Sequence, residues 1–138
     1  MPTEPSADWL VGVWRCRSRR DGSPFEWHVA RDLAGPWLTG VGIEGGRKLS
    51  LDVWAVDPQG RLGLRRQFTE RGAVIEMRPS EAADGMLLEG EMRQRDGTEV
   101  KLRERVTPMG DESFAAIWEV AEGAGWKIVV DETCERRP

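Results

Sequence analysis

Tyrosine is absent from this sequence of 138 residues, histidine occurs once, and no apolar run is long enough to form a membrane-spanning helix. Such a helix requires roughly 20 apolar residues in succession. The single histidine, His28, and two cysteines without Cys-x-x-Cys spacing do not predict a metal site. The net charge is −4 and basic residues are interleaved with acidic ones, unlike the clustered basic surface of nucleic-acid-binding proteins. Metal, membrane and nucleic acid are therefore not among the expected partners.

The first eight residues are polar and contain two prolines and two acidic residues. They lack the basic start and the apolar run of a secretory signal, so we expect a cytoplasmic protein. Residues 1–8 are predicted to be a tail. Residues 9–138 are predicted to form one domain, because a chain of this length suits a single core.

Short runs of alternating apolar and polar residues fill the chain, and no long window has the periodicity of a helix. Turn residues such as Asp21-Gly22, Gly45-Gly46 and Asp96-Gly97 separate these runs at regular intervals. They delimit about ten strands, a number typical of sandwiches and barrels. The pattern predicts an all-β fold, a single antiparallel up-and-down β-barrel with a central cavity.

The hairpin around Asp96-Gly97 has a well-defined register. If Arg95-Asp96-Gly97 is a three-residue turn, three pairs of opposite charge align on one face and apolar residues align on the other. A shift of one residue would disrupt both faces, so this register is strongly specified. The aligned charged pairs are Arg93 with Glu99, Glu91 with Lys101 and Glu89 with Arg103.

The first and last strands are predicted to pair and to close the barrel, which would remove both sheet edges. Charge matching places Arg15 opposite Glu135 and Arg19 opposite Asp131. The same register places Trp14 opposite Arg136 and Cys16 opposite Cys134. Opposed cysteines could form a disulfide, but two reduced thiols are the expectation for a cytoplasmic protein.

The segment Gly12-Val13-Trp14 resembles the Gly-x-Trp motif at the first strand of the calycin superfamily, which includes lipocalins and fatty-acid-binding proteins. Arg136 or Arg137 resembles the arginine that lies across this tryptophan in lipocalins. A cation–π contact of this kind contributes about 0.5–2 kcal/mol. The resemblance implies that Trp14 and Arg136 hold one end of the barrel closed.

A fuller resemblance, over nearly the whole chain, is to a bacterial family of uncharacterised lipocalin-like domains. The family implies a barrel with a cavity and no known reaction. The haem-binding barrel of nitrobindin is related and uses a histidine near its C-terminus, a region that contains no histidine here, so no cofactor is expected. The matching segments are Trp9–Trp14, Phe25–Trp27, Arg31–Leu38, Trp54–Asp57, Trp126 and Cys134–Arg137.

Four charged residues fall on strand faces that are otherwise apolar, namely Arg31, Arg66, Glu104 and Glu132. A buried charge needs a partner or loses its charge. One interpretation is a set of internal ion pairs or solvated positions near a rim, and the other is a set of polar contacts that orient a ligand. Glu104, if isolated from arginine, is the candidate general acid or base. His28 falls on the outer face of its strand.

Trp27, Trp37, Trp118 and Trp126 are predicted to line the cavity, although packing in the core is the alternative for each. Trp54 belongs to the same group of strand tryptophans, but it falls on the face opposite Leu49, Leu51 and Val53, so exposure at a partner surface is the alternative for this residue.

The leading hypothesis is that the chain binds or carries a small, largely apolar or aromatic molecule in a tryptophan-lined cavity. One alternative is a metal-independent enzyme, an isomerase or cyclase, in which the cavity orients a substrate. The other alternative is an interaction module that forms a homodimer. The sequence gives no catalytic motif that decides between a binder and an enzyme, and the balance is towards a binder.

Overall fold

The structure, a computed structural model, describes residues 6–80 and 85–138. Within these residues a short helix, α1 (Ala7–Leu10), precedes ten strands. The strands are β1 (Gly12–Ser18), β2 (Pro24–Asp32), β3 (Trp37–Glu44), β4 (Arg47–Val56), β5 (Leu62–Thr69), β6 (Val74–Ser80), β7 (Met86–Arg93), β8 (Glu99–Gly110), β9 (Ser113–Glu122) and β10 (Gly125–Arg136).

The ten strands form one closed antiparallel barrel in which each strand pairs with its neighbours in sequence and β1 pairs with β10. The predicted fold class is therefore confirmed. Closure of the barrel gives every strand two partners, so that no sheet edge is left unpaired. Because neighbouring strands are joined by short turns, the turns alternate between the two ends of the barrel.

The β7–β8 hairpin has the predicted register, with Arg93 opposite Glu99 and Met86 opposite Val106. The Nη2 atom of Arg93 lies 2.6 Å from the Oε1 atom of Glu99 on the outer surface. Exposed ion pairs of this kind contribute only about 0–1 kcal/mol each. The charged face therefore specifies the register more than it stabilises the fold.

The β1–β10 pairing also has the predicted register, with Trp14 opposite Arg136 and Cys16 opposite Cys134. The expectation of two reduced thiols is wrong for this structure, because Cys16 and Cys134 form a disulfide. The prediction rested on the expected compartment, whereas the register places the two Cα atoms 4.0 Å apart on adjacent strands. The disulfide connects the first strand of the barrel to the last.

One end of the barrel, here called the closed end, is covered by α1. The Ser6 hydroxyl accepts a hydrogen bond from the backbone N–H of Trp9 at 3.3 Å, and the backbone N–H of Ala7 donates to Gly60 at 3.0 Å. The rings of Trp9, Trp14 and Phe114 pack beneath the helix with centroids 4.8–5.7 Å apart. Asp8, the last residue of the predicted tail, lies within this helix.

Arg136 secures the closed end. Its guanidinium carbon lies 4.3 Å from the ring centroid of Trp14, as the resemblance to lipocalins implied. The same guanidinium donates to the carbonyls of Val11, at 2.6 Å, and of Trp9. Gly12 has a φ of 140°, and a Cβ there would lie 2.8 Å from Nη1 of Arg136. The first position of Gly-x-Trp must therefore be glycine, because a side chain there would be strained at this φ and would collide with Arg136.

No helix among residues 6–80 and 85–138 is long and apolar enough to cross a membrane.

Candidate functional site

A cavity of about 320 Å³ lies inside the barrel. Most of its wall is apolar, which is typical of small-molecule sites, and its volume is at the small end of the range of about 300–1,000 Å³ for such sites. The apolar wall includes Phe25, Leu49, Ile75, Met92, Val106 and Val120. Since α1 covers the closed end, a ligand would reach the cavity from the opposite end, where the β3–β4, β5–β6 and β7–β8 turns lie.

A β-bulge in β5 determines which charged residues face this cavity. Trp54 is opposite Arg65 and Val56 is opposite Leu62, so β5 has one extra residue between these pairs. The bulge reverses the alternation of β5, and Arg65 points inward. The prediction that Arg66 faces the cavity is therefore wrong, because its Nε donates to Glu76 at 2.9 Å on the outer surface.

The inner face of β4 was also assigned incorrectly from the sequence. Trp54 is 1% exposed and lines the cavity, so it is not an exposed partner surface. Its inward neighbour Asp52 is buried, whereas Leu51 is 48% exposed. A polar residue is accommodated inside because Arg65 on the adjacent strand provides an opposite charge for Asp52.

Three buried charged side chains form a connected cluster, of which Arg65 and Glu104 line the cavity. The Nη2 atom of Arg65 lies 2.6 Å from Oδ2 of Asp52, and its Nη1 atom lies 2.5 Å from Oε1 of Glu104. All three residues are buried. Short charged contacts of this kind compensate for the loss of water around each group, whereas removal of one partner leaves an uncompensated charge.

Three tryptophans surround the guanidinium of this cluster. The Cζ atom of Arg65 lies 4.7 Å from the ring centroid of Trp54, 5.3 Å from that of Trp118 and 5.7 Å from that of Trp27. The Trp27 ring packs over Gly40 of β3, which must be small because a Cβ there would lie 2.6 Å from the Trp27 Nε1 atom. Trp27 and Trp118 therefore line the cavity at the predicted positions, and Trp54 joins them.

Several polar atoms in the cavity wall have no hydrogen-bond partner in the part of the chain that the structure describes. Two are donors, the Nε atom of Arg65 and the Nε1 atom of Trp54, and one is an acceptor, Oε1 of Gln67. A buried polar group without a partner costs about 1–3 kcal/mol, so such groups are few in folded proteins. Three such atoms on residues of one cavity wall indicate that a bound molecule or water provides their hydrogen bonds.

The carboxyl groups of the cavity have altered proton affinity. Burial raises the pKa of Glu104, and the charge of Asp52 adds to this, while the guanidinium of Arg65 opposes it. Burial and the charge of Glu104 raise the pKa of Glu132 to about 8, despite Arg65. Burial lowers the pKa of Arg65, but the charges of Asp52 and Glu104 outweigh it and the net shift is upward. Glu132 is therefore mostly protonated at neutral pH.

Three further residues predicted to bind ligand lie outside the cavity. Arg31 lies in the exposed last part of β2. Its Nη2 atom is 2.5 Å from Oδ1 of Asp8, and its Nη1 atom donates a hydrogen bond to the carbonyl oxygen of Gly35 at 3.0 Å. Trp37 begins β3 and is 37% exposed. Trp126 is 41% exposed with Arg103 over its ring at 4.1 Å, because the β9–β10 hairpin extends beyond the barrel wall.

His28 lies on the outer face, where its Nε2 atom is 3.1 Å from Oε1 of Glu26. Residues 6–80 and 85–138 contain no group of three His, Cys, Asp or Glu side chains arranged to hold a metal ion.

The fold has a counterpart among solved structures. A crystal structure of Rv2717c from M. tuberculosis superposes with a TM-score of 0.54, and the match covers 94% of each chain at 18% sequence identity. At this identity the likeness concerns the barrel fold alone. The sequence matches no protein-family model, and it matches no curated protein.

Proposed function

We propose that this chain is a lipocalin-like, calycin-type barrel that binds a small, largely apolar molecule, with the polar end of the ligand against Arg65, Glu104 and Glu132. The observation that carries the proposal is the set of unpartnered polar atoms in an otherwise apolar cavity. Apolar walls provide affinity and a few polar groups fix orientation in sites of this kind. The wall tryptophans Trp27, Trp54 and Trp118 favour a flat or aromatic ligand.

Native mass spectrometry of protein purified from its own source tests this proposal, by comparison with the denatured mass. We expect a retained small molecule. Trp54→Phe keeps the aromatic bulk but removes one unpartnered N–H, so it should lower the retained fraction. Trp37→Phe on the exposed surface is the matched control and should retain as much ligand as the wild type. An empty cavity in every preparation would contradict the proposal.

The same experiment tests a homodimeric interaction module. Leu51, Phe68 and Val74 are opposed residues on three adjacent strands and form an exposed apolar row on the outer surface. A dimer with an empty cavity would favour this function over ligand binding, and Phe68→Asp should then give a monomer.

A second candidate function is a metal-independent isomerase or cyclase. The observation that favours it is Glu132, a cavity carboxyl with a pKa of about 8, since a general acid or base works best near the operating pH. Glu104 is bonded to Arg65 and is better placed to position the cluster than to exchange a proton. Incubation of the retained molecule with wild type and Glu132→Gln separates the two functions. An enzyme loses turnover in the variant, and a carrier converts the molecule in neither protein.

The predicted cytoplasmic location is tested by the state of Cys16 and Cys134. Disulfides persist mainly in oxidising compartments. Thiols trapped with an alkylating reagent in intact cells would support the cytoplasm, whereas an intact disulfide would support an oxidising compartment.

A further inference from the structure

The charge of the cavity limits the class of ligand that it can accept. One guanidinium, from Arg65, faces three carboxyl groups, from Asp52, Glu104 and Glu132. Both terminal nitrogens of Arg65 are already bonded, Nη2 to Asp52 and Nη1 to Glu104. Arg65 therefore already has two carboxylate partners within the protein, and their charges compensate that of its guanidinium.

A ligand carboxylate would add a further negative charge to this group. Like charges in a buried site disfavour ionisation, which agrees with the raised pKa of Glu132 beside Glu104. No other arginine or lysine lines the cavity among the described residues, so an incoming anion would find no free cation there. An anionic head group would be repelled by the carboxyls that hold Arg65.

The unpartnered atoms define what the head group must offer. Arg65 Nε–H and Trp54 Nε1–H need an acceptor, and Gln67 Oε1 needs a donor; all three residues line the cavity. A carboxamide supplies both, a carbonyl oxygen and two N–H groups, without a net charge. An ammonium supplies donors only, so both buried N–H groups would remain unpartnered and the cation would face Arg65.

We propose, on the basis of the binding function above, that the cavity selects an aromatic or apolar molecule with an uncharged head group that both donates and accepts hydrogen bonds, as a primary carboxamide does, and discriminates against carboxylates.

Three probes with a common phenyl group and short linker test this selectivity by isothermal titration calorimetry at pH 7, namely phenylacetamide, phenylacetate and phenethylamine. We expect phenylacetamide to bind at least tenfold more tightly than phenylacetate, with phenethylamine weaker than the amide. At pH 9, where Glu132 of the wild type is ionised, the Glu132→Gln variant lacks this negative charge, so it should bind phenylacetate several-fold more tightly than the wild type does and its preference for the amide should be narrower. Glu135→Gln, on the outer face of the same strand, is the control and should leave the preference unchanged.

The outcomes separate this inference from the function on which it rests. Equal or tighter binding of phenylacetate would overturn the selectivity, while the cavity would remain a binding site. Binding of phenethylamine above the amide would overturn it in favour of a cationic ligand. If none of the three probes binds, at concentrations up to the millimolar range, the binding function itself is contradicted.

Discussion

Arg136 and Arg65 both pack against tryptophan rings, but their surroundings differ. Arg136 at the closed end lies 4.3 Å from the Trp14 ring centroid, and its guanidinium meets two backbone carbonyls and Glu112. Arg65 in the cavity lies 4.7 Å from the Trp54 ring centroid and meets two carboxylates. The Nε of Arg136 is paired, with Glu112 at 2.7 Å, whereas the Nε of Arg65 has no partner among the described residues.

The difference separates a structural contact from a candidate site. At the closed end the fold itself provides partners for the charged group, so nothing remains to be added. In the cavity an arginine and a tryptophan are also held in contact, but some of their N–H groups have no hydrogen-bond partner among the described residues. A buried polar group whose hydrogen bonds are incomplete is costly, and such cost is typical of sites that bind a further molecule.

The largest expected effect concerns pH and the cavity carboxyl Glu132. Its pKa is raised to about 8 from the ordinary 4.5, so the folded protein binds this proton more tightly than the unfolded chain. Stability from Glu132 is complete below pH 4.5 and is lost as pH rises towards 8, by up to about 1.4 kcal/mol per pH unit. Relative to wild type, Glu132→Gln should become more stable as pH rises across this window.

Urea unfolding at several pH values between 4.5 and 8.5 measures this effect. Glu135→Gln on the outer face is the control and should follow the wild-type curve. Parallel pH curves for wild type and Glu132→Gln would mean that the Glu132 carboxyl is not held protonated by its surroundings.

Replacement of the central cation should have the next largest effect. Arg65→Met leaves Asp52 and Glu104 buried without their partner, which typically costs about 3–5 kcal/mol. The adjacent Arg66→Met removes an exposed ion pair with Glu76 and should cost only about 0–1 kcal/mol. Chemical denaturation gives both free energies of unfolding. Similar losses for the two variants would show that Arg65 is not the charge that holds the cluster.

The disulfide between the closure strands should contribute a similar or smaller amount. Cys16 and Cys134 are 118 residues apart, and a bridge over so long a loop restricts the unfolded chain strongly. Reduction, or the double variant Cys16→Ala with Cys134→Ala, should lower the free energy of unfolding by about 2–4 kcal/mol. Thermal unfolding with and without reductant measures this loss. An unchanged melting temperature in reductant would indicate that the bridge adds nothing to the closed barrel.

The smallest effect is expected from the other arginine. Arg136→Met removes charged hydrogen bonds to two carbonyls and should cost about 2 kcal/mol. Ligand retention should not change, because Arg136 lies behind Trp14 and not in the cavity. If the Arg136→Met variant were fully folded and yet failed to retain ligand, Arg136 would contribute to the binding site and would not be purely structural.

The registers of the β7–β8 and β1–β10 pairings could be predicted because complementary charge on the outer face and apolar residues on the inner face specify them together. Glu104, Glu132, Trp27 and Trp118 followed from the same alternation and do line the cavity. The disulfide did not follow, because the register placed the cysteines together but their oxidation depends on the surroundings of the protein.

The local pattern does not predict Asp52 and Arg65 as inner residues, because Leu51 and Phe68 of the same two strands point outward although they are apolar. Simple alternation on β4 favours Leu51 and Val53 as the inner face, and on β5 it favours Arg66. Gly63, which interrupts the apolar residues at the start of β5, is the one local indication of the bulge that reverses which side chains of β5 point inward. The pairing of Asp52 with Arg65 depends on strand neighbours, which the local pattern does not contain.

The bridge from Cys16 to Cys134 also determines how the molecule responds to mechanical force. If the two ends of the chain were pulled apart, tension would pass through the sulfur atoms and bypass residues 17–133. Only α1, the start of β1 and the last residues of β10 could be peeled away, and with them the contact between Arg136 and Trp14. The cavity would keep its shape while the closed end was stripped from it, and only reduction would allow the remaining strands to extend.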